Sequence, residues 1–215
     1  MIRRVGLVGL FLVGVLAVGF GILVISSMSY DESDPRDRPN SYYSVVSAEV
    51  DRPVADVFRF VQYEIRRVYP ETSPMHEKFE ILNADGLVEG AEVDCVEGDA
   101  KELVRNRYVV TEVVPNRLLV LASSPTVVLD RATGQQVAEV DVWNHFDFEP
   151  LGRDRTRLTQ TVVMDMKSPF IKSAIDVFAF LSGNRGLWER QFTEELENLA
   201  AFAGGAGPGP AEAGR

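Results

Sequence analysis

Residues 168–203 read SPFIKSAIDVFAFLSGNRGLWERQFTEELENLAAFA, and the architecture of the chain turns on what this stretch forms. Ser168 is suited to accept from the free amides of a helix start, and Pro169 to the first helical position. Apolar residues then recur at helical spacing: Phe170, Ile171, Ala174, Ile175, Phe178 and Leu181. Gly183-Asn184-Arg185-Gly186 interrupts them, since a glycine costs about 1 kcal/mol against alanine inside a helix. The pattern resumes with Leu187, Trp188, Phe192, Leu196, Leu199 and Ala203, while Glu189, Arg190, Glu194, Glu195 and Glu197 supply a wet face. The spacing predicts one long C-terminal helix, kinked or broken near its middle, whose apolar stripe needs a partner surface.

The preceding residues read as that surface. Tyr42 to Val50 has strand character, Asp51-Arg52-Pro53 turns the chain, and Val54, Val57, Phe58 and Val61 mark a short helix. Ile65 to His76, with Pro70 and Pro74, reads as a second short helix and a loop. Strands follow at hairpin spacing over Lys78–Asn83, Leu87–Val96, Leu103–Val114 and Arg117–Ser123, with a short extra strand at Thr126–Asp130. In the last hairpin Val140, Val142, Asn144, Phe146 and Phe148 alternate with polar neighbours. They are answered by Thr156, Leu158, Gln160, Val162 and Met164. One register sets Glu149 against Arg155, Asp147 against Arg157, Phe146 against Leu158, Val142 against Val162 and Asn144 against Gln160. An antiparallel sheet with one apolar face, followed by one long helix, predicts an α+β fold in which a curved sheet grips that helix.

Charge narrows the partners. The 215-residue chain has a net charge of −10, and its first 29 residues carry only Arg3 and Arg4, so the remainder is more acidic still. Such a surface repels phosphate backbones, and nucleic acid is not an expected partner. Cys95 is the one cysteine, which excludes an internal disulfide or a zinc cluster built on cysteines. It reads as a small buried hydrophobe on a strand.

Val5 to Ile25 contains no charge and no proline. At about 1.5 Å per residue it reaches roughly 31 Å, the thickness of a bilayer core. No small-residue cleavage site follows it, so residues 1–28 are expected to be an uncleaved single-pass anchor in the cell membrane. Arg3 and Arg4 favour a cytoplasmic N-terminus and an extracytoplasmic C-terminal domain, a bias that Arg36 and Arg38 reduce. Residues 29–41 read as a flexible linker and 204–215, rich in Gly, Ala and Pro, as a disordered tail. The folded unit is expected over residues 42–203.

Three stretches carry a resemblance. Ala48 to Phe58 (AEVDRPVADVF) resembles the opening strand, proline and helix of the START-like superfamily, the polyketide cyclase/dehydrase and lipid-transfer proteins also called SRPBCC. Thr111 to Leu118 (TEVVPNRL) is similar to its hairpin of strand, proline, basic residue and strand, and Glu195 to Leu199 to the end of its last helix. Where the family often has tryptophan-proline, this chain has Tyr69-Pro70. The resemblance implies a helix-grip domain with a cavity between sheet and helix that holds an apolar or amphipathic small molecule or lipid.

The residues point the same way. The inward face of the last hairpin is apolar except for Asn144 and Gln160, and buried amides need hydrogen-bond partners. They satisfy each other or they face a guest; both readings stand at this stage. Val142, Phe146, Leu158, Val162 and Met164 share their face, Phe178, Leu181, Trp188 and Phe192 come from the helix, and Tyr108 from a middle strand. These twelve are the candidate ligand-binding residues, with simple core packing as the alternative. No catalytic residue is assigned. His76 is placed in a loop, His145 on the outer face, and Glu112 at an exposed strand end. No P-loop, dinucleotide fingerprint or metal-binding spacing is present, and no cofactor is expected. A cyclase or dehydratase using the same cavity, and a ligand-free interaction module, are the rival functions.

Overall fold

The computed structural model describes residues 41–168, 171–173 and 187–205, without the side chains of Leu187 and Trp188. The expected anchor, most of the linker, most of the tail, Phe178, Leu181 and the 183–186 break lie outside the described residues. Among the described residues no helix is long and apolar enough to cross a membrane.

Seven antiparallel strands form one curved sheet: β1 (Ser41–Val50), β2 (His76–Ile81), β3 (Glu92–Gly98), β4 (Glu102–Val114), β5 (Leu118–Asp130), β6 (Gln136–Pro150) and β7 (Thr156–Asp165). Their spatial order is β1-β7-β6-β5-β4-β3-β2, so consecutive strands are neighbours except where β1 closes against β7. Helix α1 (Val54–Thr72) connects β1 to β2, and helix α2 (Leu187–Gly204) follows the sheet and packs on β1 and α1. Before it, the Ile171 amide donates to Ser168 Oγ at 3.5 Å, the cap that the sequence places there.

Where two short helices are expected after Pro53, the chain forms the single 19-residue α1. Its buried residues Val57, Phe58, Val61, Ile65, Val68, Tyr69 and Thr72 keep helical spacing straight through the supposed break. Pro70 stands in the last turn, where its missing N–H removes one hydrogen bond and the helix is about to end. The expected strands at 117–123 and 126–130 are likewise one strand, β5. Its pairing shifts between Ser123 and Thr126, at Pro125, which has no amide to offer a ladder. Leu87, expected at a strand start, is fully buried in the loop before β3.

The β6–β7 register also differs from expectation. Glu149 faces Arg157, Phe148 faces Leu158, Phe146 faces Gln160 and Asn144 faces Val162. Every partner is displaced by two residues, because the loop closes with the Leu151 amide on the Arg155 carbonyl at 2.9 Å. A two-residue shift keeps each side chain on its face, so the inward and outward sets stand. The outer ladder is still charge-paired, with Arg157 Nη1 donating to Glu149 Oε2 at 2.7 Å.

Ile65, Leu119, Phe146, Leu158 and Leu196 are among the largest fully buried side chains, and join α1, sheet and α2 in one core. On the outer face of β3, buried Asp94 meets Lys78 Nζ at 2.9 Å, Arg107 Nε at 3.1 Å and Arg105 Nε at 3.3 Å. Burial opposes the Asp94 charge, but these cations outweigh it and hold the carboxyl below its usual range.

Candidate functional site

The core is not filled everywhere. A cavity of about 260 Å³ lies between the sheet and the two helices, near the small end of ligand pockets. Its wall is largely apolar: Val104, Val128, Ala138, Val140, Val142, Val162, Met164, Met166 and Phe192. Strand alternation puts the residues from Val104 to Met164 inward from β4 to β7, Met166 follows the end of β7, and α2 covers them with Phe192 and Gln191.

Of the twelve residues that the sequence nominates, Tyr108, Val142, Asn144, Gln160, Val162, Met164 and Phe192 lie on this wall. Phe146 and Leu158 point inward as expected but are 2% and 0% exposed, in the solid part of the core rather than at the cavity. Phe178, Leu181 and the Trp188 side chain lie outside the described residues. Asn144 and Gln160 are diagonal rather than opposite, and still meet, with Gln160 Nε2 donating to Asn144 Oδ1 at 3.3 Å. That bond leaves the Asn144 N–H₂ and the Gln160 carbonyl outside the pair, and both residues line the cavity.

A second polar group escapes the sequence reading. Glu97 lines the cavity beside β4, and its Oε1 accepts from Tyr69 Oη at 3.3 Å and from Cys95 Sγ at 3.1 Å. His76, expected in a loop, instead opens β2 and is buried. Its ring stacks on Tyr69, with centroids 4.1 Å apart and planes 9° from parallel. Its Nδ1 is 2.9 Å from the Tyr69 carbonyl, which can only accept, so Nδ1 carries a proton. Its Nε2 faces Glu195 Oε1 at 3.3 Å, an ion-pair contact rather than an aligned hydrogen bond. Glu195, expected on the wet face of the helix, is 4% exposed and also accepts from Gln191 Nε2 at 2.9 Å.

The electrostatics follow from this burial. Burial opposes a charge on His76, but contact with Glu195 and the negative charges of Glu97 and Glu195 overcome it, and the imidazole pKa is raised. Burial pushes the Glu97 carboxyl up; His76 pulls it down, and nearby Glu195 adds to the rise. Burial, reinforced by Glu97, raises the Cys95 thiol and the Tyr69 and Tyr108 phenols well above their ordinary values, so all three stay protonated. Cys95 is thus a donor to Glu97 as well as the buried hydrophobe of the sequence reading, and not a nucleophile. Asn106, 2% exposed and also on the wall, accepts from Thr126 Oγ1 at 2.7 Å. Glu112 is exposed, as expected: a register shift between Val110 and Glu112 turns it off the inward face.

With this geometry, solved structures of similar shape can be compared. The chain is similar to the solution structure of a protein from Arthrobacter aurescens, with 18% identity, 88% of this chain and 99% of that chain covered, and a TM-score of 0.53. It is also similar to truncated norcoclaurine synthase from Thalictrum flavum, with 11% identity, coverage of 75% and 92%, and a TM-score of 0.51. A hypothetical protein from Helicobacter pylori gives 13% identity, coverage of 75% and 88%, and a TM-score of 0.50. What they share with this chain is the fold. No protein-family model matches the chain, and no curated protein matches it.

Proposed function

We propose that the domain at residues 42–203 is a START-like binding module that holds a small, mostly apolar molecule in the cavity under α2. The observation that carries this reading is a space of about 260 Å³ with apolar walls and a few fixed polar groups in an otherwise close-packed core. The apolar span at residues 5–25 supports a further element: a membrane anchor that keeps the module beside dissolved guests and raises their effective concentration without any new contact. Arg3 and Arg4 favour an extracytoplasmic domain.

The test is extraction of the purified full-length protein followed by mass spectrometry. A stoichiometric apolar compound is expected; a protein that neither retains nor takes up such compounds sinks the reading. Protease digestion of intact cells reports orientation, since loss of residues 42–203 from outside requires export.

One observation favours a second reading, an enzyme acting on the same guest. Glu97 is a titratable carboxyl on the cavity wall, with His76 close enough to influence its charge. If it transfers protons, Glu97→Gln protein should retain a compound of different mass from that in the wild type. The same mass in both favours binding alone.

A further inference from the structure

Among the described residues the wall has carboxylates but no lysine or arginine. Its charged members among them are Glu97 and, exposed at its edge, Glu102. Among the described residues, the titratable groups around Glu97 are Tyr69 from α1, His76 from β2, Cys95 on its own strand, Tyr108 from β4 and Glu195 from α2. The only basic group in this set is His76, and its Nε2 is directed to Glu195. Two carboxyl groups therefore share one imidazole, and the hydrogen-bond partners of Glu97 are two neutral donors, Tyr69 and Cys95. Both act on Oε1, and Oε2 has no protein partner among the described residues. Tyr108, 6% exposed and on the same wall, has a hydroxyl with no hydrogen-bond partner among the described residues. A buried carboxylate without a counter-charge is costly, and the missing charge is one that a guest can bring.

We infer that the guest is a protonated amine on an apolar body, its ammonium received by Glu97 Oε2 and the Tyr108 hydroxyl, its hydrocarbon part lying along Val140, Val142, Val162 and Met164. This rests on the binding-module reading and names the class of guest. An ammonium offers three donors and no acceptor, which suits a site whose unused groups include a carboxylate oxygen, a phenol oxygen and the Gln160 carbonyl. An anionic head, whether fatty acid or phosphate, would put like charges together in a site where the described residues include no lysine or arginine to separate them.

The test uses full-length protein in detergent and three probes with one skeleton: 4-phenylbutylamine, 4-phenylbutanol and 4-phenylbutanoate. Titration calorimetry at neutral pH should show the amine binding at least tenfold more tightly than the alcohol, and the carboxylate most weakly. Glu97→Gln, nearly isosteric and still able to accept from Tyr69 and Cys95, should bring the amine to within about threefold of the alcohol. The wild-type comparison needs no variant, so it decides even if Glu97→Gln fails to fold. Carboxylate binding as tight as the amine overturns the inference while leaving the cavity reading standing, as does an amine preference that survives in a folded Glu97→Gln. If none of the three probes saturates, the inference and the binding module fall together.

Discussion

His76 and Glu97 hold their protons more tightly in the fold than in an unfolded chain, and that fixes the sign of a pH effect. A raised folded pKa contributes stability below the unfolded value and loses it as pH rises through the folded value. For Glu97 that window opens near its ordinary 4.5, and for His76 near 6.5. Thermal melts should therefore show stability falling as pH climbs above 6.5, with a shallower fall in His76→Gln; parallel curves would mean that the His76–Glu195 contact carries none of it. Asp94 acts in the opposite sense: its lowered pKa gives stability above about 3.8 that is lost as pH falls through its folded value. A second residue-scale expectation concerns the amide pair. Asn144→Leu removes the acceptor for Gln160 Nε2 and should cost about 1–3 kcal/mol. The double variant with Gln160→Leu should recover much of that in denaturant melts while shifting the module toward purely apolar probes. The amides were legible in the sequence because they break an apolar alternation. Glu195 was not, because a helical pattern counts a carboxylate as wet until its partner is placed, and that partner sits at the start of a strand read as loop.

At the scale of elements, the sequence carried parity better than register. Alternation in β6 and β7 assigns every side chain to a face, and opposite charges on the outer face agree with either of two registers two residues apart. Glu149 finds an arginine in both. Loop closure between Leu151 and Arg155 makes the choice, and no side-chain pattern encodes it strongly. Similarly, Pro70 stands in the last turn of a continuous α1, and Pro125 at a pairing shift within a continuous β5. The end of α1 depends on a distant element. Its Thr72 carbonyl, one of the four that a helix leaves without an internal partner, accepts from Asn198 Nδ2 of α2 at 2.9 Å. Asn198→Ala should therefore lower stability by about 0.5–1.5 kcal/mol, read by urea melts. Hydrogen exchange should localise the loosening at residues 68–72 in α1 as well as in α2. Exchange changes confined to α2 would show that the contact does not tie the helices together.

For the whole molecule, the decisive property is that one region of the interior is hollow while its neighbour is solid. The two regions lie on the same pair of strands: Val162 borders the cavity, whereas Leu158, two pleat repeats away on β7, is 0% exposed and away from it. Enlarging each should separate them. Leu158→Phe forces extra volume into close-packed surroundings and should cost about 1–3 kcal/mol. Val162→Phe has space to enter, and should leave stability unchanged or raise it by about 0.5–2 kcal/mol, as cavity-filling changes commonly do. The same substitution removes room for a guest, so binding of 4-phenylbutylamine should weaken at least tenfold in Val162→Phe. Melting and calorimetry on the two variants thus read one volume from opposite sides. Equal destabilisation of both would show that the space at Val162 is closed in solution. A stable Val162→Phe that binds as well as the wild type would move the guest away from this wall.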